Sequence, residues 1–116
     1  MVPPKLNETL PAIMVVELSG EIDLATHEDV AADIQACLDH EPPSLVVDMS
    51  RVLFIDSLGL SILVQAYEKA RRAAVNLRIV ANTSQVTKPL RLTGLDQYLP
   101  VSSSLVDALS RITAPL

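Results

Sequence analysis

One cysteine, Cys37, stands alone in 116 residues. It permits no intramolecular disulfide and fits a reducing cytoplasm. It falls on the apolar side of a predicted helix, as a small core residue would, rather than as a reactive thiol. Tryptophan is absent and aromatic residues reach only 3%. The stacking platforms of single-strand nucleic-acid binders are therefore missing. Basic residues number 9 against 14 acidic ones, for a net charge of −5. A nucleic-acid binder would want a basic face instead. No apolar run approaches the ~18 residues of a membrane span. The apolar run 12–16 is short, is followed by Glu17, and does not read as a signal peptide. The three glycines, Gly20, Gly59 and Gly94, lie too far apart for a phosphate-cradling loop. The two histidines, His27 and His40, with one cysteine between them, match no zinc spacing. His27 reads as the surface of a first helical turn and His40 as a helix end, where a cation suits the dipole. A nucleophile elbow needs Gly-x-Ser-x-Gly, and Ser57 lacks the first glycine. No metal, no cofactor, no nucleic acid and no membrane span are expected.

What is present is a core. Apolar residues make up 49% of the chain, which argues against disorder. The length fits one domain, 1–116, with its core at about 10–113. The prolines of 1–4 suggest a frayed or edge-like start. Residues 5–9 are a candidate short strand, with Leu10-Pro11 as a turn. Residues 12–18, rich in Ile and Val, form a strand. Ser19-Gly20-Glu21 follows as a turn or bulge. A helix begins in 23–26, with Thr26 and Asp29 resembling a capping box. Its stripe is Val30, Ile34 and Leu38, and Glu41-Pro42-Pro43 stops it. Leu45, Val46 and Val47 read as a buried strand ending at Asp48. A helix over 57–73 follows, with Leu60, Leu63, Val64, Tyr67, Ala70 and Ala74 at helical spacing. A strand covers 77–80. A short helix covers roughly 86–92, with Thr87 as N-cap, Pro89 in its first turn and Gly94 just past its end. A short strand at 99–101 precedes a last helix capped within 102–104, whose stripe is Leu105, Ala108, Leu109 and Ile112. Alternating strands and helices imply an α/β fold with a mixed, mostly parallel sheet of four to five strands and about four helices. The first two strands form an antiparallel edge hairpin in this reading.

Asp56-Ser57 marks the point where the strand period gives way to the helical one. Both are good N-cap types. The plain interpretation is a capped helix and nothing more. Gly59 in the first turn weakens it, because glycine costs roughly 1 kcal/mol against alanine inside a helix and so suggests a close approach by something. A serine at the positive end of a helix, beside N–H groups without partners, is also a place that tolerates an added phosphate.

The stretch Phe54-Ile55-Asp56-Ser57-Leu58-Gly59-Leu60, preceded by Val46-Val47-Asp48-Met49-Ser50, resembles the signature of bacterial anti-sigma factor antagonists, which are STAS-domain proteins. Leu18-Ser19-Gly20-Glu21-Ile22-Asp23 is similar to the family's Gly-Glu-(apolar)-Asp turn, and Leu92-Thr93-Gly94-Leu95 to its late Gly-Leu motif. Together these cover about residues 10–110, in the family's order and spacing. The resemblance implies a STAS fold and a binding switch rather than an enzyme. Ser57 would be phosphorylated by a cognate anti-sigma factor, a serine kinase of GHKL type. Asp23, Asp56, Ser57, Leu58, Gly59 and Ser61 would shape the docking face. The unphosphorylated form would bind the anti-sigma factor and free the sigma factor. Phosphorylation would end that, and a PP2C-type phosphatase would restore it. A phosphoserine adds about −1.5 to −2 charges. Beside Asp56 it would repel an acidic partner surface and demand space in a packed interface.

The chain departs from the family pattern in three places. Asn76 stands where a glycine-containing turn is common and is the residue able to take the left-handed conformation in its place, Pro89 lies within the third helix, and Leu58 replaces a small polar residue. A rival reading is a STAS subunit of a transporter or scaffold assembly, binding constitutively, with the serine as a helix cap. A weaker one is nucleotide binding at the same helix start, for which no lysine or glycine loop completes a site. A cytoplasmic monomer or weak dimer is expected, the latter through an exposed edge hairpin.

Overall fold

Apolar side chains on alternate strand residues, and at helical spacing between the strands, assemble into helices packed on both faces of one sheet. A computed structural model describes residues 13–113. Within them the chain runs β1 (Ile13–Ile22), α1 (His27–Asp39), β2 (Ser44–Ile55), α2 (Ser57–Arg72), β3 (Asn76–Val80), α3 (Ser84–Leu92), a 3-10 turn (Leu95–Gln97), β4 (Val101–Ser102) and α4 (Leu105–Thr113). The four described strands lie in the order β1-β2-β3-β4, and every neighbouring pair is parallel. The strand expected at 5–9, and with it the antiparallel hairpin, falls outside the described residues.

Leu45, Val47, Met49, Leu77 and Ile79 point from the sheet into the main core with Ile34, Leu38, Leu63, Ala66, Ala70 and Leu90 of the helices. Cys37 packs partly against this core. Burial, with the nearby Asp33 carboxylate adding to it, raises its thiol pKa, which suits an inert residue. On the opposite sheet face Val46 and Val80 meet Ala108, with Leu105, Leu109 and Ile112 alongside. The stripe of the last helix thus covers the sheet's second face. Ser104 Oγ caps α4 by accepting from Asp107 N at 3.0 Å. Arg78 fastens β3 to β4, its Nη2 and Nε donating to the buried Ser102 Oγ at 2.9 and 3.1 Å. Arg111 bridges Asp107 one turn earlier at 3.1 Å, and that bond chiefly holds the Asp107 carboxyl below its ordinary range.

Several local expectations are corrected. β2 does not stop at Asp48 but continues to Ile55. Its first part, 44–48, pairs on both sides, while the part beyond Asp48 pairs with β1 alone, through Ser19↔Arg51, Glu21↔Phe54 and Ile22↔Ile55. The register shifts at Glu17/Ser19 and Gly20/Glu21, so Ser19-Gly20-Glu21 is a bulge within β1, with Gly20 at φ 74°. Thr26 precedes α1, but its side chain caps nothing and the capping box with Asp29 does not form. Thr83, not Thr87, stands at the N-cap of α3. Pro89 accordingly sits in the second turn, where proline has no N–H to offer the carbonyl four residues back. Ala74, not Asn76, takes the left-handed conformation after α2, at φ 58°, and Asn76 opens β3. The last strand begins at Val101 rather than at Leu99. Gly94 closes α3 at φ 77°, as its position past the helix end requires.

Candidate functional site

The two-stranded end of the sheet carries the candidate site. Asp56 N donates to Ile22 O at 3.1 Å, which ties the end of β2 to the end of β1. The loop entering α1 and the first turn of α2 therefore emerge side by side.

Asp23 organises the first of these. Its Oδ1 accepts from Ala25 N at 3.0 Å and Thr26 N at 3.2 Å. Thr26 Oγ1 donates to Glu21 O at 2.6 Å and accepts from Asp23 N at 3.0 Å. Asp23 is half-buried and spends its carboxylate on the loop backbone; it shapes the surface more than it projects from it. His27 opens α1 half-buried, its Nδ1 2.9 Å from Leu24 O.

Asp56 organises the second. Its Oδ1 accepts from Leu58 N at 3.0 Å and Gly59 N at 3.1 Å. It is the N-cap of α2, and Ser57 is the first helical residue. Asp56 holds the capping bonds, so the serine is free of that role. Ser57 is exposed, and among the described residues its hydroxyl has no hydrogen-bond partner. Sequence left open which member of the pair caps; the geometry separates them. Leu58 and Ser61 are exposed on the same helix, where Ser61 Oγ accepts from Gln65 at 3.2 Å.

Gly59 points the other way. A Cβ built on it would lie 2.5 Å from Ile55 Cγ1 and 2.8 Å from Ile22 Cγ2. Here is the close approach that its odd placement suggested: the tips of β1 and β2 press against the first turn of α2. Gly59 is buried and offers no surface for a contact. Further back along β2, Asp48 Oδ1 accepts from Ser50 Oγ at 2.6 Å, and Ser50 Oγ accepts from Asn82 at 3.2 Å.

Sequence reasoning did not single out Leu24. It is 75% exposed in the loop beside Asp23, and Phe54 is 49% exposed at the end of β2. The only signal for Leu24 was an apolar residue outside any periodic stripe. Among the described residues no three metal-ligating side chains come together, and no helix is long and apolar enough to cross a membrane.

Several known proteins resemble this one. RsfB of Mycobacterium tuberculosis, an anti-sigma-F factor antagonist, is 36% identical over 100 residues, covering 86% of this chain and 81% of its own. The crystal structure of an anti-sigma factor antagonist from Mycobacterium paratuberculosis superposes with a TM-score of 0.82 at 38% identity, covering 89% of this chain and 87% of the other. The unphosphorylated form of SpoIIAA, a Bacillus cell fate determinant, shares the fold at a TM-score of 0.72 and 18% identity, over 92% and 93% of the two chains. Residues 5–108 match the STAS domain, and with these relatives beside it the chain belongs to the STAS-domain family.

Proposed function

We propose that this protein is an anti-sigma factor antagonist, a binding switch rather than an enzyme, that acts in the cytoplasm. Its unphosphorylated form binds a cognate anti-sigma factor and thereby frees a sigma factor. The observation that carries this reading is the division of labour at the start of α2. Asp56 satisfies the helix N-terminus, so Ser57 stands exposed at the positive end of the dipole, its hydroxyl unpartnered among the described residues. The similarity to RsfB and to the mycobacterial structure supports the choice of partner class. In this reading the partner is a serine kinase of GHKL type that phosphorylates Ser57, and a PP2C-type phosphatase reverses the modification. Asp23, Asp56, Leu58 and Ser61 frame the docking face, with Gly59 beneath it setting the helix position.

A pulldown with wild type, Ser57→Ala and Ser57→Glu as baits tests the switch. The alanine bait retains a GHKL-type anti-sigma factor and the glutamate bait loses it, with an affinity lower by about a hundredfold, or roughly 2.8 kcal/mol. Equal affinity for both baits refutes regulation at Ser57. A transporter ATPase or scaffold retained equally by all three moves the protein to constitutive binding.

A further inference from the structure

Among the described residues eight large apolar side chains are exposed, and four of them lie on segments that meet at one end. Leu24 at 75%, Leu53 at 66%, Phe54 at 49% and Leu58 at 37% exposed all belong to the β1–α1 loop, the last residues of β2 or the first turn of α2. Single exposed apolar residues need no explanation, but a cluster beside a candidate site does. The hydrogen bond from Asp56 to Ile22, and the pairing of Glu21 with Phe54, bring these segments together.

The same end is acidic. Glu21 lies at the end of β1 and Asp23 just after it, Glu28 and Asp29 occupy the first turn of α1, and Asp56 caps α2. Arg51 is the cation on the two-stranded arm. Glu28 and Asp29 also complement the α1 dipole, and Asp23 and Asp56 bind backbone N–H groups. Their charge remains on the surface all the same. Exposed apolar side chains among charges of one sign are the composition of a docking surface, and the sign of those charges selects the partner.

We infer that Leu24, Phe54 and Leu58 are the apolar anchors of the docking face, and that its occupant is an anti-sigma factor presenting an apolar pocket rimmed by basic side chains. This rests on the function proposed above and adds the partner's chemistry to it. It also changes how phosphorylation at Ser57 acts. Against a basic rim an extra −1.5 to −2 charges would attract rather than repel. Release then comes from volume and desolvation: a hydrated dianion next to Leu58 cannot enter an apolar contact.

The test uses the anti-sigma factor retained by the Ser57→Ala bait, purified and titrated calorimetrically against the unphosphorylated protein. Leu24→Ser and Phe54→Ser each weaken binding by about tenfold or more. Leu92→Ser, 72% exposed at the last residue of α3, is the control and leaves affinity unchanged. Both test positions are exposed, and far-UV dichroism verifies that the variants are folded. Raising NaCl from about 50 to about 500 mM, which shortens the Debye length from about 14 to about 4 Å, weakens wild-type binding by about tenfold. Wild-type affinity in the Leu24 and Phe54 variants overturns the anchors, and affinity that holds or rises with salt overturns the basic rim. Absence of any anti-sigma factor from all baits refutes instead the function on which the inference rests.

Discussion

Three of the four residues at the entry to α2 do three different things. Asp56 accepts two backbone N–H groups and ends the strand's extended backbone at the helix. Ser57 is left exposed, its hydroxyl without a partner among the described residues. Gly59 lets the helix sit on Ile22 and Ile55 at a distance that no side chain would allow. Gly59→Ala sets two effects against each other. Helix propensity gains about 1 kcal/mol. Overpacking against two buried isoleucines costs about 1–3 kcal/mol, and the contacting atoms include the inner Cγ1 of Ile55 rather than only a flexible tip. Overpacking dominates, and the variant unfolds at lower urea than wild type. A midpoint equal to or above wild type would show that Ile22 and Ile55 move aside without cost. The glycine's anomaly was visible in sequence, because a helix former was missing where one belonged. Its cause was not visible, since Ile22 lies far away in the chain and only the pairing of β1 with β2 delivers it.

At the scale of elements, what repeats along the chain was legible and what depends on a neighbour was not. The stripe Leu105, Ala108, Leu109 and Ile112 identified α4 and its apolar face from spacing alone, and Val46 and Val80 receive that face. Ala108 is fully buried there, on the helix that closes the second side of the sheet. Ala108→Leu lifts α4 off the sheet and destabilises the fold by about 1–3 kcal/mol. Amide hydrogen exchange reports this as faster exchange in α4 before any change in α2. Unchanged protection in α4 would mean that the helix has room to spare. By contrast, β2 looked finished at Asp48 because Asp48, Ser50 and Arg51 break the apolar run. Edge-to-edge pairing with β1 carries it seven residues further, and periodicity does not report a partner strand. The caps failed for a related reason. Thr26 satisfies the Glu21 carbonyl rather than its own helix, because threonine side chains have competing local bonds, and Thr83 rather than Thr87 stands at the start of α3 although its side chain makes no cap bond. The turn after α2 put Ala74 in the left-handed region although Asn76 was the better intrinsic candidate; Asn76 was needed to pair with Ser44.

At the scale of the whole molecule, the question is whether the phosphate proposed for Ser57 would act through the fold or through the surface. The chain already carries a net charge of −5, and the modification brings it to about −7 at a strongly acidic end. Repulsion from Asp56 opposes it. The α2 dipole, worth about 0.3–1 kcal/mol to an anion in the first turn, favours it. Ser57 is exposed, so solvent screens both effects and no buried group must move. These terms are of similar size and opposite sign, which leaves the folding stability of the phosphorylated protein within about 1 kcal/mol of the unmodified one. Urea unfolding of the two forms, with the phosphorylated state verified by mass spectrometry, measures this directly. Near-equal midpoints place the switch on the surface, where a few kcal/mol lost from docking shift occupancy by more than a hundredfold without altering the antagonist itself. A loss of several kcal/mol would place it in the fold, with the modified α2 pulling away from Ile22 and Ile55 and carrying the docking loops with it.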